Sequence, residues 1–479
     1  MESAYEQTLT ILHTNDIHSR FGSMSSLAAM AAEQKRASEG AVLLLDIGDH
    51  MDRMAPETEG TYGGANVDVI NLTGYDAVTI GNNEGLTFTP DMLEQAYAGI
   101  QCPVVCGNIR EISTGFTPPW MKEFLVLNKD GIRIGLVAAT APYSTFYRIL
   151  GWEARDPVES LKQQVAAIRG SVDVVIVMSH LGLHTDERLA REVTGIDVIL
   201  GGHSHHVLEA PLMIGGTALC AAGKHGMLMG KVVLGRNGKQ EPFKVIAGEC
   251  LPLNTLILDE NVAAAIAVHR QRADIRLQET VAIIDQSCSI AYDRESEFGN
   301  IMAQAVRHFT GAQLAIVNSG QLLGPLPEGS ISKRLLHQLC PSPINACTMN
   351  LQGSAIRLAL EQSLLSEFAD KKIIGFGFRG EVLGSLCVDG IQVIYDLQRN
   401  PFDRIIEIRL NDSLLSDEES YNVGTLDMFS FKIGYESLAA GTELDYRLPE
   451  FLRDLIGNEL QRPNALKESM VCRWIAVQQ

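Results

Sequence analysis

The sequence has no long hydrophobic run and no visible targeting segment. No stretch approaches the ~18 apolar residues that a membrane-spanning helix needs. Residues Met1 to Thr10 are polar and acidic, without the basic and apolar regions of a signal peptide. The nine cysteines are an odd number, and the closest pair, Cys102 and Cys106, has no second pair that would complete a zinc knuckle. We therefore expect a cytoplasmic protein with reduced thiols and no membrane contact.

Positive charge is also scarce. The 479 residues include 39 Lys and Arg against 58 Asp and Glu, which gives a formal net charge of -19 at pH 7. Such a chain repels nucleic-acid polymers and anionic membranes, so neither is an expected partner. A small phosphate compound remains a possible substrate, because bound divalent cations can reverse the charge locally.

The composition and the pattern of apolar residues predict two domains. Hydrophobic residues make up 46% of the chain and charged residues 20%, as in compact globular proteins. From Leu9 to about Leu200, short runs rich in Val, Ile and Leu alternate with helical segments. Runs that are apolar throughout indicate strands buried on both faces, and therefore an α/β layered domain. The predicted strands are Leu9 to Leu12, Val42 to Leu45, Ala77 to Ile80, Val104 to Cys106, Ile134 to Ala138, Val172 to Met178 and Val198 to Leu200.

The pattern changes near Thr255, where one long helical stretch follows and extends to about Thr280. After it, helices such as Asn300 to Phe309 mix with strands such as Ile405 to Leu410, which is typical of an α+β domain. We predict an N-terminal catalytic domain over 1–254, a connecting helix over 255–280 and a C-terminal domain over 281–479.

Polar residues cluster directly after five of the predicted strands. In an α/β fold the carboxyl ends of the strands meet at one edge, where ligands bind, so these clusters should converge. Carboxylate, imidazole and one carboxamide oxygen suit Mn, Zn, Fe or Mg, and no cysteine belongs to the set. The clusters are His13-Thr14-Asn15-Asp16-Ile17-His18, Gly48-Asp49, Gly81-Asn82-Asn83-Glu84, Ser179-His180 and Gly201-Gly202-His203-Ser204-His205-His206.

In this order the clusters resemble those of the calcineurin-like metallophosphoesterases, and within them the bacterial 5′-nucleotidase and UDP-sugar hydrolase group. The resemblance implies a four-layer α/β/β/α sandwich, joined by a helix to a C-terminal 5′-nucleotidase-like α+β domain. It also divides the ligands between two divalent metal ions. One ion is held by Asp16, His18 and His205, the other by Asn82, His180 and His203, and Asp49 bridges them.

Two ions roughly 3.5 to 4 Å apart can share a hydroxide as nucleophile and polarise the phosphoryl oxygens. We therefore expect metal-dependent hydrolysis of phosphoester or phosphoanhydride bonds in nucleotides or nucleotide-derived substrates. Other histidines lie close to the ligands in sequence and have either a supporting or a surface role. These are His13, His50, His184, His206 and His225.

The C-terminal domain resembles the nucleotide-binding domain of the same group less faithfully. Asn318-Ser319-Gly320-Gln321 stands where the group has an Asn-Gly-Gly-Gly run, but Leu322 and Leu323 replace the arginine usually found there. Aromatic rings near the Gly-rich turns either stack on a base or simply pack in the core. The candidate substrate-binding residues are Asn318, Phe376, Phe378, Arg379, Phe429 and Phe431.

One departure concerns the catalytic step. The group normally reads Gly-Asn-His-Glu at the third cluster, and that histidine is paired with an acidic residue three positions on. Here the positions are Asn83 and Leu86. Asparagine can donate a hydrogen bond but has no proton to transfer. A replacement acid would have to be another residue, and His50, His184 and His206 are the candidates.

A second hypothesis follows from this departure. The chain would be a non-catalytic or weakly catalytic nucleotide-sensing protein, which also binds metal and nucleotide but shows no turnover with added Mn²⁺. A third, a secreted nucleotide scavenger, is disfavoured by the absent signal segment. Because all seven ligand positions are filled, we favour the enzyme.

Restoring the missing pair tests the departure directly. The double substitution Asn83→His and Leu86→Asp should raise hydrolysis of a nucleoside monophosphate more than that of a nitrophenyl ester. The reason is that general acid catalysis contributes roughly 10²- to 10⁴-fold, and most for a poor leaving group. Steady-state kinetics on both substrates measure the ratio. If the wild type already cleaves both equally fast, a substitute acid exists.

Overall fold

The structure is a computed structural model that describes residues 5–375, 377–411 and 413–477. The chain divides into two compact units, residues 1–274 and 275–479, and each has its own buried core. None of the helices in the described part of the chain combines the length and the apolar character of a membrane span.

The first unit contains a seven-stranded sheet in the order β15-β14-β1-β2-β3-β4-β6, a six-stranded sheet in the order β12-β13-β11-β10-β8-β7 and the small pair β5-β9. The strands are β1 (Gln7–Thr14), β2 (Ala41–Asp46), β3 (Ala77–Val78), β4 (Val104–Val105), β5 (Ile109–Glu111), β6 (Met121–Lys122), β7 (Phe124–Lys129), β8 (Ile132–Thr140), β9 (Trp152–Ala154), β10 (Val174–His180), β11 (Val198–Gly201), β12 (Leu212–Ile214), β13 (Thr217–Ala221), β14 (Leu228–Arg236) and β15 (Lys244–Pro252). The helices are α1 (Phe21–Ala37), α2 (Pro56–Thr61), α3 (Gly64–Thr73), α4 (Asn82–Thr87), α5 (Pro90–Tyr97), α6 (Ser144–Ile149), α7 (Pro157–Ile168), α8 (Leu183–Glu192) and α9 (Glu260–Leu277).

Alternating side chains of β10 explain why its sequence is apolar throughout. Val174, Ile176 and Met178 belong to the core between the two large sheets. Val175 and Val177 point to the opposite face and pack with residues of α7 and α8. A strand covered on both faces has no polar side, so the continuous apolar runs reflect a layered α/β domain, and the two packed sheets with outer helices are the α/β/β/α sandwich that the family resemblance implies.

Strand register brings the polar clusters together. In the first sheet Thr14 pairs with Asp46, and Asp46 pairs with Val78, so β1, β2 and β3 end side by side. In the second sheet Ser179 pairs with Gly201, and Gly201 pairs with Ala221. The expectation of a single sheet edge is therefore corrected, because the five clusters come from corresponding edges of two sheets packed face to face.

The predicted connecting helix is shorter than its apolar pattern suggested. It begins at Glu260 because the Asp259 carboxylate accepts hydrogen bonds from the backbone N–H groups of Asn261 and Val262, at 3.0 Å each, and so caps the first turn. The division between the two units falls within this helix, at residues 274 and 275. The domain bounds given above remain a prediction.

The second unit contains a five-stranded sheet in the order β20-β17-β24-β19-β25, a four-stranded sheet in the order β23-β22-β21-β26 and the pair β16-β18. Its strands are β16 (Thr280–Ile284), β17 (Leu314–Asn318), β18 (Gly329–Ser332), β19 (Asn345–Gln352), β20 (Leu386–Asp389), β21 (Ile391–Tyr395), β22 (Ile405–Leu410), β23 (Ser413–Leu414), β24 (Ser420–Leu426), β25 (Thr442–Phe451) and β26 (Trp474–Ala476). Its helices are α10 (Glu297–Thr310), α11 (Lys333–Leu339), α12 (Gly353–Ser363), α13 (Ser366–Ala369), α14 (Asp427–Ser430), α15 (Leu452–Glu459) and α16 (Ala465–Ser469). This mixed architecture agrees with the predicted α+β domain.

Candidate metal centre

The loops that follow β1, β2 and β11 carry their polar residues on unusual backbone. Five of the seven candidate ligands have a positive φ, with values from 48° to 71°, a region that residues other than glycine rarely adopt. Such strain persists only where the surroundings enforce it, and it concentrates at functional sites. The five are Asp16, His18, Asp49, His203 and His205.

Asp16, His18 and His205 form one group of possible metal ligands. The His18 and His205 Nε2 atoms are 3.3 Å apart, and they lie 3.8 and 3.4 Å from Asp16 Oδ1. Backbone contacts hold this geometry, since the Asp16 N–H donates to Gly48 O at 3.0 Å and the His18 N–H donates to Asp49 O at 2.8 Å. The loops after β1 and β2 are thus joined directly at the site.

Asp16, Asp49 and His180 form a second group, which shares Asp16 with the first. His180 Nε2 lies 3.3 Å from Asp49 Oδ2 and 3.9 Å from Asp16 Oδ1. His203 lies alongside, with its ring centroid 5.3 Å from that of His180. Asp16 belongs to both groups, and Asp49 lies near histidines of both, so each carboxylate is placed to bridge two ions. The assignment of Asp49 as the bridge therefore remains a prediction.

Two buried atoms indicate that a cation belongs here. The His180 Nδ1–H donates to Ile47 O at 2.8 Å, which leaves the Nε2 lone pair available. Among the described residues, neither His180 Nε2 nor Asn82 Oδ1 has a hydrogen-bond partner, although both atoms are buried. Leaving two buried acceptors unsatisfied is costly, and a metal ion bound by both would remove that cost. The residues present therefore fit the implied metal.

The electrostatics of the site are dominated by its two carboxylates. Burial would raise the pKa of Asp49, but the charges of His180 and His18 hold it well below its usual range. Burial would likewise lower the pKa of His180, yet Asp49 and Asp16 raise it to about 10, so these carboxylates attract positive charge at Nε2, either a proton or the metal ion that replaces it. Burial and the neighbouring His180 lower the pKa of His203, which favours the neutral imidazole that a ligand requires. The site is built to hold positive charge.

Glu84 positions the Asp49 loop, a role that the sequence did not reveal. Its fully buried carboxylate accepts hydrogen bonds from the N–H groups of Asp49, Met51 and Gly81 at 3.1, 2.7 and 2.8 Å. Burial and the charge of Asp49 raise the pKa of Glu84 to about 7. A Cβ on Gly81 would lie 2.0 Å from Asp49 Oδ1, so only glycine permits this close approach.

Asn83 lies beside the ligands and contacts two of them. Its backbone N–H donates to Asp49 Oδ1 at 2.8 Å, and its side-chain amide lies 2.8 Å from His18 Nδ1. The Asp52 carboxylate lies 3.4 Å from the same Nδ1 atom, where it can accept a proton carried by that nitrogen when His18 uses Nε2 as a ligand. The Asp52 hydrogen bond and charge, together with Asp49, raise the pKa of His18 against the effect of burial. Asn83 and Asp52 therefore orient His18.

The structure separates the three histidines predicted as replacement acids. His50 is buried, its Nδ1 lies 3.2 Å from Asn66 Nδ2, and burial lowers its pKa to about 3, so it holds no proton near neutral pH. This corrects its candidacy as an acid. His184 lies exposed on α8, and exposed His206 has its Nδ1 2.8 Å from Ser204 Oγ. Neither histidine is placed against the candidate ligands by a hydrogen bond in the described structure.

Tyr143 is a residue that sequence reasoning missed. It follows β8, and its hydroxyl lies 3.3 Å from His203 Nε2 with 38% of the residue exposed. Burial and the charge of Asp49 raise its pKa, so it keeps its proton and can donate a hydrogen bond at the rim of the site. The sequence gives only one indication of its position, namely that a polar ring follows the apolar run from Ile134 to Ala138.

The predicted substrate-binding residues of the second unit do not form one exposed surface. Phe378 and Phe429 are 4% and 0% exposed within the core, so neither presents a face to a base, and their prediction as stacking rings is corrected. Asn318 is also buried and donates to Leu383 O at 2.6 Å. Arg379 is half-buried, and Phe431 is 42% exposed. Phe376 lies outside the described residues.

Comparison with known proteins decides the family. A family model described as "Calcineurin-like phosphoesterase" matches residues 9–207, and one described as "5'-nucleotidase, C-terminal domain" matches residues 276–438. An uncharacterized metallophosphoesterase of Bacillus subtilis, YunD, is 32% identical over 461 residues, which cover 95% of this chain and 99% of that protein. The chain belongs to the calcineurin-like phosphoesterases. It is a metal-dependent hydrolase of the 5′-nucleotidase-like kind, and divalent metal ions are the cofactors of this family.

Two further relatives carry the C-terminal domain as well. The 5′-nucleotidase of Rattus norvegicus is 25% identical over 465 residues, covering 84% of this chain and 77% of that protein. The NAD nucleotidase of Haemophilus influenzae shares the fold with a TM-score of 0.70 at 16% identity, over 98% of this chain and 99% of that one. The two-domain architecture is therefore the family's own.

Substituting Asp49→Ala tests the centre. The variant should lose most activity and at least one equivalent of bound metal, because Asp49 Oδ2 lies next to His180 and His18. Metal analysis after gel filtration and initial rates with added Mn²⁺ measure both. Asp91→Ala, an exposed aspartate on α5, is the matched control. Full turnover of the Asp49 variant would refute the assignment.

Proposed function

We propose that this chain hydrolyses phosphoester or phosphoanhydride bonds in nucleotides or nucleotide-derived substrates, using two divalent metal ions bound by the seven predicted ligands. The observation that carries the proposal is the pair of buried, unpartnered acceptors, His180 Nε2 and Asn82 Oδ1, beside two buried carboxylates. The 5′-nucleotidases and the NAD nucleotidase among its relatives support the substrate class.

Bound there, the two ions would polarise the phosphoryl oxygens and activate a water molecule for attack. The chain itself supplies the ligands in a fixed geometry, because strained backbone and the Glu84 hydrogen bonds hold the loops before any substrate arrives. Asn83 and Tyr143 are neutral donors at the rim, able to hydrogen-bond to phosphoryl oxygens. Neither is an efficient acid for a leaving alkoxide, so substrates whose leaving group needs no proton should react best.

A substrate screen tests the proposed function. Purified protein loaded with Mn²⁺ should turn over nitrophenyl phosphate and nucleoside diphosphates faster than nucleoside monophosphates, and lose this activity after chelation. Binding of nucleotides without turnover of any phosphomonoester, diester or nucleotide sugar would instead support the nucleotide-sensing hypothesis.

Phe431→Ala tests whether the second unit binds the base. Stacking on an aromatic ring is worth about 1 to 3 kcal/mol per base. Because Phe431 is only partly exposed, we expect the lower end, an increase of about fivefold in KM for nucleotides and no such increase for nitrophenyl phosphate. Phe429→Ala is the contrasting variant, since its buried ring should affect thermal stability rather than KM. Equal effects of Phe431→Ala on both substrates would point to packing alone.

A further inference from the structure

Two positively charged side chains lie beside the candidate metal centre of this acidic protein. Arg20 follows His18 by two residues, and Lys224 precedes His225, whose ring centroid is 5.8 Å from that of His18. Both Arg20 and Lys224 are exposed. The chain as a whole carries a net charge of -19, so these two cations stand in an acidic protein.

Backbone hydrogen bonds join the two segments that carry these cations. The His225 N–H donates to Asp16 O at 2.7 Å. The Ser23 hydroxyl lies 2.8 Å from Arg20 O and 2.9 Å from His225 O, so one side chain bridges both segments. Arg20 and Lys224 therefore stand on adjoining loops at the side of the centre formed by His18 and His205.

Neither cation is neutralised within the described part of the chain, where no ion pair or side-chain hydrogen bond involves the Arg20 guanidinium or the Lys224 ammonium group. Other arginines of the same unit are paired, as Arg53 is with Glu59 and Arg169 with Asp197. The nearby carboxylates of Asp16 and Asp52 are buried and face His18.

We propose that Arg20 and Lys224 bind a second phosphoryl group, linked directly to the one held at the metal centre. A guanidinium can contact two phosphate oxygens at once, and an ammonium group adds a point charge. The inference rests on the proposed function and narrows its substrate to phosphoanhydrides such as nucleoside diphosphates.

Two independent observations agree with a phosphoanhydride. The leaving group of an anhydride is a phosphate, which needs no proton, and the chain has asparagine where its relatives' pattern has the histidine acid. The arginine expected in the C-terminal domain is replaced by Leu322 and Leu323, and Leu322 is fully buried. The run that resembles a nucleotide-binding motif thus supplies no cation at these positions, whereas the first unit supplies two at Arg20 and Lys224.

Calorimetry on the full-length, Mn²⁺-loaded protein tests the subsite without turnover. The probes are inorganic phosphate and imidodiphosphate, a non-hydrolysable analogue of two linked phosphates. The double variant Arg20→Gln and Lys224→Gln should lower the affinity for imidodiphosphate about tenfold more than the affinity for phosphate. The reason is that two partly exposed charge contacts are lost. The matched control is Arg36→Gln with Lys239→Gln, two exposed cations of which Arg36 lies at the other end of α1, roughly 24 Å away.

Kinetics provide a second readout. The double variant should lower kcat/KM for a nucleoside diphosphate about tenfold more than for nitrophenyl phosphate. Equal losses with both probes, or the same loss in the control, would overturn the subsite while leaving the proposed hydrolysis intact. Selective loss of imidodiphosphate binding in a protein that turns over no substrate would support the subsite and refute the proposed hydrolysis.

Discussion

The structure of the first unit depends on placing two carboxylates, Asp16 and Asp49, almost completely out of water and within 4 Å of three imidazoles, those of His18, His180 and His205. Buried negative charge of this kind is tolerable only where cations compensate it. The imidazole of His180 compensates part of this negative charge, and the divalent ions that this family binds compensate the rest. The sheet register, the strained loops and the Glu84 hydrogen bonds all serve to keep these groups together.

The same constraint explains the division of labour around the centre. Asp16, Asp49 and His180 are buried, and backbone contacts hold Asp16 and His18, whereas residues on the rim, such as Tyr143 and Arg20, are exposed. Asn83 shows the difference. Its backbone N–H supports Asp49, while its side chain has no proton to transfer to a leaving group. The backbone of Asn83 thus serves the ligand geometry, while its side chain supplies no acid.

Much of the fold and the centre could be predicted from the sequence, because both follow from local rules. Apolar runs predict buried strands, and polar residues at strand ends predict a site, since parallel strands end together. Apolar runs do not show which strands pair, so the division of the strands between two sheets was implied by the family resemblance and not by the runs themselves. The burial of Phe429 and the position of Tyr143 could not be predicted, because both depend on packing between residues distant in sequence. The start of the connecting helix at Glu260 was also not predicted, because it depends on a single capping carboxylate, that of Asp259.

The bent backbone at the ligands has a consequence for metal exchange. Because Asp16, His18, Asp49, His203 and His205 are held in left-handed conformations by the folded scaffold, their ordering takes place when the chain folds and not when an ion arrives. Arrival and departure of an ion then require no loop rearrangement. We expect the geometry of such a rigid site, its ligand chemistry and the ions that the surroundings supply to decide together which metal it binds.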